Sequence, residues 1–168
     1  MPTLGTIPIR IRKSGSTKTQ TPPGGWVGSK AGKKGDLVTL DSNGRVDQVV
    51  AAGNHITSAS DTLAYLSQAR VVGDAQGTLT QIDKFDEDTL LAVPACTVSG
   101  TTPTAVATTN AMIGQQYPLL RDASSNLCLN TSTNTNPVCE VVDWSRDYKI
   151  GEVGGILLVR ILPSQRVA

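Results

Sequence analysis

The chain has 168 residues, 39% of them hydrophobic, 17% charged and only 4% aromatic, with a formal net charge of +1. That balance suits one globular domain with at most a small appendage, and it gives no indication of a global electrostatic attraction to nucleic acid, which only the leader could supply. No run of about eighteen apolar residues is present, which excludes an ordinary transmembrane helix.

The charge is unevenly placed. Arg10, Arg12, Lys13, Lys18, Lys30, Lys33 and Lys34 precede the first acid, Asp36, so the first thirty-four residues carry +7. The rest sets eight bases against fourteen acids, a formal −6. The leader is rich in Gly, Ser, Thr and Pro, including Pro22-Pro23-Gly24-Gly25. Such a stretch buries little apolar surface and does not offset the entropy of ordering by itself. Residues 1–34 therefore read as an extended basic arm and residues 35–168 as a mildly acidic body, with 113–168 a candidate C-terminal β subdomain. An arm on a body points to assembly rather than catalysis. The N-terminus has no continuous apolar stretch after a basic start, so it does not read as a secretory signal, and synthesis in a cytoplasm is expected.

After the arm, two β-prone runs flank Asn43-Gly44 over residues 35–50, and this dipeptide supplies the positive φ angles of a tight hairpin. Residues 51–62 read as a polar connection. The run 62–72 fits either a helix capped by Ser60 or Asp61 or a strand, and its surroundings favour the strand. Strand patterns return between Thr78 and Val93, interrupted by Asp86-Glu87-Asp88. Residues 97–111 lack periodicity and read as a long exposed loop. Further strands are predicted over 116–120, 126–129 and 138–144. The most hydrophobic segment, 154–162, reads as a closing strand buried on both faces. Many short strands with turn signals between them predict an all-β barrel or sandwich. With so few aromatics the core must be mostly Val, Leu, Ile and Ala, a thin core of the kind that oligomerisation or a partner surface supplements.

The residues that could carry chemistry resolve into simpler readings. Asp83 and Asp86-Glu87-Asp88 lack the glycine of a calcium loop and read as a solvated turn. Asp41-Ser42-Asn43-Gly44 has an EF-hand opening but no closing Glu, and the hairpin explains it. Residues 28–35 evoke a phosphate loop, yet three residues separate Gly28 from Gly32 where four are required, and no strand precedes them. His55, the lone histidine, has neither a nucleophile elbow nor a cysteine-protease signature beside it. Paired carboxylates for glycoside hydrolysis lack the usual sugar-stacking aromatics. Cys96, Cys128 and Cys139 form no CxxC pair and read as small buried apolar residues. If 131–136 were a turn, Cys128 and Cys139 would face each other across a hairpin, which makes a disulfide the sharper alternative. Asn130-Thr131-Ser132 is a sequon without meaning unless the chain is secreted. No cofactor or metal is called for, and the chain is not expected to be an enzyme.

The hairpin GDLVTLDSNGRVDQV resembles one found in decoration and cement proteins of tailed-phage heads. There a Pro/Gly-rich arm leads into a small fold of the β-tulip or jelly-roll sort. IGQQYPLLRDASSNLCLNTSTNTNPVCEVVDW followed by GEVGGILLVRILPS is similar to the end of small β-rich head proteins of podovirus-like phages. The resemblance covers residues 22–50 and 113–163. It implies a homotrimer on the outer capsid surface of the virion, with the major capsid protein as partner and neither nucleic acid nor a membrane. No contact residue is carried over from that family. The contact candidates come from the arm: Arg10, Arg12, Lys13, Lys18, Trp26, Lys30, Lys33 and Lys34. Two alternatives use the same residues differently: a nucleic-acid-binding module whose arm contacts phosphates, and a phage fibre or receptor-binding part.

Overall fold

The computed structural model describes residues 10–13, 19–27, 31–41, 43–48, 54–57, 63–67, 77–100, 102–122, 124 and 126–167. Its strands are β1 (Arg10–Lys13), β2 (Thr19–Gln20), β3 (Leu37–Leu40), β4 (Val46–Gln48), β5 (His55–Ile56), β6 (Ala64–Leu66) and β7 (Ile82–Lys84). They continue with β8 (Leu90–Ser99), β9 (Thr102–Ala105), β10 (Gln116–Tyr117), β11 (Leu119–Arg121), β12 (Leu127–Asn130), β13 (Cys139–Trp144) and β14 (Ile156–Ile161). The only helical elements among the described residues are two 3-10 turns, Asn110–Met112 and Pro163–Gln165. The protein is all-β, as its strand patterns predict.

The strands form a nine-stranded and a five-stranded sheet. The larger one is organised by β8, which runs for ten residues and meets four other strands. Its first half pairs with β14 on one edge and β1 on the other, and its second half pairs with β9 and, in parallel, β12. Pro94 stands at the changeover, opposite Ile156, the first residue of β14, where that ladder ends. Proline donates no ladder hydrogen bond and is tolerated where a ladder ends. The smaller sheet runs β2-β7-β6-β3-β4. Neither sheet closes into a barrel, so of the two expected architectures the layered one is realised.

Side-chain alternation divides the core. Leu37 and Tyr65 of the small sheet join Leu91, Val93, Leu119, Leu129, Val141, Leu157, Val159 and Ile161 of the large one in a shared cluster between the layers. Tyr65 and Phe85 supply its aromatic contact, their ring centroids 5.2 Å apart. The neighbouring residues Val38, Ala64 and Leu66 point the other way, onto a second cluster with Trp26, Val46, Ile82 and Val167. The small sheet is thus covered on both faces. Its outer cover is built from two segments: the one bearing Trp26, and the C-terminal residues, which bond to Leu63 through the carbonyl of Gln165 and the amide of Val167.

Several expectations are corrected. The hairpin between β3 and β4 is present, but residues 41–45 connect it, and only Gly44 of the Asn-Gly pair has positive φ, at +69°. The Asp41 carboxylate accepts the amides of Asn43 and Arg45, at 2.8 and 2.9 Å, and organises the wider turn. Residues 64–66 are strand; the capping candidates Ser60 and Asp61 and residues 68–72 lie outside the described residues. The connection over 51–62 contains β5, which pairs with β11. Residues 97–111 are only in part a loop. Residues 97–99 complete β8 and 102–105 return as β9 after Gly100, while 106–109 remain a connection into the 3-10 turn; the strand pattern was hidden because β9 alternates only between exposed and half-buried. The closing strand β14 is central, with the Leu157, Val159 and Ile161 face fully buried and the other face buried only at Ile156. Leu158 and Arg160 are half-buried on that other face, where Arg160 pairs with Glu140 at 3.4 Å. Within 113–168, β10 to β14 share a sheet and a core with β8.

Replacing Trp26 by alanine would empty the largest fully buried side-chain site, and it is expected to cost about 3–5 kcal/mol in urea unfolding. Leu79→Ala, at a side chain 67% exposed, is expected to change stability by no more than about 0.5 kcal/mol in the same measurement.

Candidate assembly interface

The basic leader enters the body through a sequence of short backbone contacts. Pro22-Pro23-Gly24-Gly25 closes a turn in which the Gly25 amide donates to the Pro22 carbonyl at 3.2 Å. Proline at the second turn position pre-sets φ for that bend. Gly25 has a φ of +61°, and a Cβ there would collide with the backbone of Gly77 and Thr78. That absence of a side chain lets the segment lie between two others: the Val46 amide donates to the Gly25 carbonyl at 2.7 Å, and the Trp26 amide to the Thr78 carbonyl at 2.9 Å. Trp26 is therefore driven fully into the second cluster. It is a core residue and not a surface contact, which corrects its place among the contact candidates.

Beyond Trp26, Gly32 sits so close to Leu66 and the indole that any side chain would displace them. The chain then turns at Lys33-Lys34-Gly35-Asp36. The Asp36 amide donates to the Lys33 carbonyl at 3.0 Å, and Gly35, at φ +89°, takes the left-handed position of a type II turn. The Asp36 carboxylate accepts the Lys33 amide at 2.9 Å, while the Gly35 amide reaches the Leu66 carbonyl at 2.8 Å. Lys33 and Lys34 are both exposed on this turn. Two cations are thus presented from a bend whose backbone is tied at both ends.

The other candidates fall in different places. Arg10, Arg12 and Lys13 belong to β1, whose backbone pairs with Leu90, Leu91 and Ala92 of β8. Lys18 and Lys30 lie outside the described residues. The described parts of residues 1–34 are strands and turns of the body, because β1 joins the large sheet and β2 pairs with β7. Described segments on both sides of residue 34 thus contribute strands to the same two sheets. The backbone groups of these polar segments are satisfied by the sheets, a tertiary effect that composition does not register.

The residues weighed for chemistry are occupied otherwise. Asp86 accepts the Thr89 hydroxyl at 2.6 Å and the Asp88 amide at 3.1 Å, so the acidic step is a capped turn. His55 Nδ1 lies 3.4 Å from the Asn130 side-chain amide. No group of three His, Cys, Asp or Glu side chains is arranged to hold a metal among the described residues. Cys128 and Cys139 do not face each other. The strand β12 pairs with β11 and β8, whereas β13 pairs with β10 and β14, so residues 131–136 cross between non-adjacent strands. Cys139 belongs to the inter-layer core, and Cys128 lies on the outer face of the large sheet beside Cys96 and Leu120.

Two features escaped sequence reasoning. Arg121 is buried to 1% exposure, and its Nε and Nη2 have no hydrogen-bond partner among the described residues. Burial pulls its pKa down, and the charge of Asp36 opposes that shift. Its position after Leu119-Leu120 in a short strand was the available signal, since alternation puts Arg121 on the core face with Leu119. The second feature is a neutral polar hollow of about 280 Å³ lined by Gly114, Gln115, Gln116, Asn134 and Pro137, assembled from segments that periodicity could not join.

Hydrogen bonds hold two turn carboxylates below the ordinary value of 3.8: the Arg45 backbone amide and side chain act on Asp41, and the Thr89 hydroxyl on Asp86. A folded-state pKa below the unfolded one gives stability that is full above the unfolded pKa and lost as pH falls through the folded one. Carboxyl NMR titration is expected to place both below 3.8, and unfolding midpoints are expected to drop as pH falls beneath about 4. Asp86→Asn is expected to flatten part of that dependence. No protein-family model matches this chain, and no curated protein matches its sequence.

Proposed function

We propose that the chain is a structural decoration protein that binds the outer surface of a phage head and clamps neighbouring major capsid subunits. The observation that carries this reading is the segregation of charge, +7 in the first thirty-four residues against −6 in the remainder, together with the exposed Lys33-Lys34 turn on a buttressed strap. Acidic outer capsid surfaces would attract such cations, and a turn already held by Trp26 and Leu66 loses little entropy on binding. Three copies around a three-fold position would multiply weak contacts into tight attachment, since each bound copy raises the effective concentration of the next. The resemblance of the hairpin and of the closing strands to head decoration proteins supports the same reading. On this proposal the protein is not an enzyme and needs no cofactor.

Deleting residues 1–34 would remove Trp26 and two strands, so the test uses surface substitutions instead. Wild type and a Lys33→Glu/Lys34→Glu variant are co-sedimented with expanded empty heads. Wild type is expected to pellet at saturating stoichiometry. The variant is expected to bind roughly tenfold more weakly, as two exposed ion pairs at up to about 1 kcal/mol each would give, with the difference shrinking in high salt. Failure of wild type to pellet, or salt-sensitive binding of wild type to duplex DNA of random sequence in its place, overturns the proposal in favour of a nucleic-acid module.

A further inference from the structure

The outer face of the large sheet carries a pair of thiols. Cys96 and Cys128 lie on the neighbouring strands β8 and β12, which run parallel with Asn130 in register with Cys96. Cys128 is one pleat period before Asn130, so it shares that face, and both cysteines are buried in one small cluster with Leu120. Their Sγ atoms are 2.6 Å apart, and Cys96 Sγ is also 3.2 Å from the Leu129 carbonyl. Cys139 is remote from them in the pattern of pairing, on β13 in the inter-layer core, where its thiol reaches the Tyr117 carbonyl at 3.4 Å.

We propose that Cys96 and Cys128 form a disulfide when the chain folds outside a reducing compartment, joining the long organising strand to its one parallel neighbour among the described residues. The position suits such a link. The β8–β12 ladder has two register pairs, and the bond would close the loop that holds β9, β10 and β11. A covalent tie across so long a loop removes many unfolded conformations. Oxidation needs an acceptor, and a small disulfide such as oxidised glutathione supplies it. One protein thiolate attacks the glutathione disulfide, forming a mixed disulfide and releasing one glutathione thiol. The second protein thiolate attacks the protein sulfur of that mixed disulfide and expels the other. Two protein thiols lose two protons and two electrons, and one glutathione disulfide becomes two thiols. In the folded protein both sulfurs are buried, and the neighbouring thiol and burial raise the Cys96 pKa, so the exchange belongs to folding rather than to later exposure.

The test is refolding of the full chain in a glutathione redox buffer, followed by alkylation and mass spectrometry. Trypsin leaves Cys96 in peptide 85–121 and both other cysteines in peptide 122–146. The expected result is a chain about 2 Da lighter than its reduced form, with the two peptides cross-linked, in wild type and in Cys139→Ser but not in Cys128→Ser. The oxidised wild type is expected to melt roughly 10 °C above the reduced protein. A mass loss without a cross-link would mean Cys128–Cys139 and would overturn the proposal. So would a cross-link that survives Cys128→Ser and vanishes in Cys139→Ser, or three alkylated cysteines in the wild type, a readout that needs no variant to fold.

Discussion

Ten consecutive residues of β8 must find partners for backbone groups on both edges, and the architecture of the larger layer depends on how they are found. No single neighbour spans the strand. β14 and β1 serve its first half, and β9 and β12 its second, with Pro94 at the exchange. This arrangement draws segments from across the described chain, residues 10–13 to 156–161, into one sheet, and puts Leu91, Val93 and Ala95 of one face at the centre of the inter-layer core. Most of the pairings are non-local, so the loop-closure entropy must be met before the contacts offset it, and slow folding is the physical corollary.

The smaller sheet is covered by different means. A chain with two tryptophans and one phenylalanine cannot cover both faces of a five-stranded sheet with aromatic bulk. One face packs on the large sheet. The other is closed by a single indole, placed because Gly25 lets its segment approach Gly77 and Thr78 and Gly32 leaves room for the ring, and by the C-terminal Val167. The same glycines that look like ingredients of a loose tail are therefore conditions of close packing. Seating Trp26 and Gly32 against Leu66 also anchors the neighbouring Lys33-Lys34 turn, which inherits its rigidity from the core beneath. The exposed Lys33-Lys34 turn and the packing beneath it are thus joined through this short strap.

Much of the fold class was legible. Alternating β-branched and apolar residues with frequent turn signals lead to an all-β chain, and the individual strands at 37–40, 82–84, 127–130, 139–144 and 156–161 arise from their own composition. The parts that were not legible share one cause. β5, β9 and the strap hold few apolar residues, and their order derives from hydrogen bonds and voids supplied by distant segments, so no local pattern announces them. The same holds for the candidate interface: the cations of the leader were evident, but Trp26 among them is an anchor facing inward.

The sequence by itself determined the strand-forming character, the segregation of basic and acidic charge, and the turn at Asp41–Gly44, because each rests on residues adjacent in the chain or on simple sums over it. Tertiary structure alone decided which strands are neighbours. It separated Cys128 from Cys139 and brought it to Cys96, buried Arg121, and folded the described parts of the leader into the body. Those outcomes depend on the pairing of segments dozens of residues apart, where the free energy comes from shared burial and mutual backbone satisfaction, and neither quantity belongs to any one stretch of sequence.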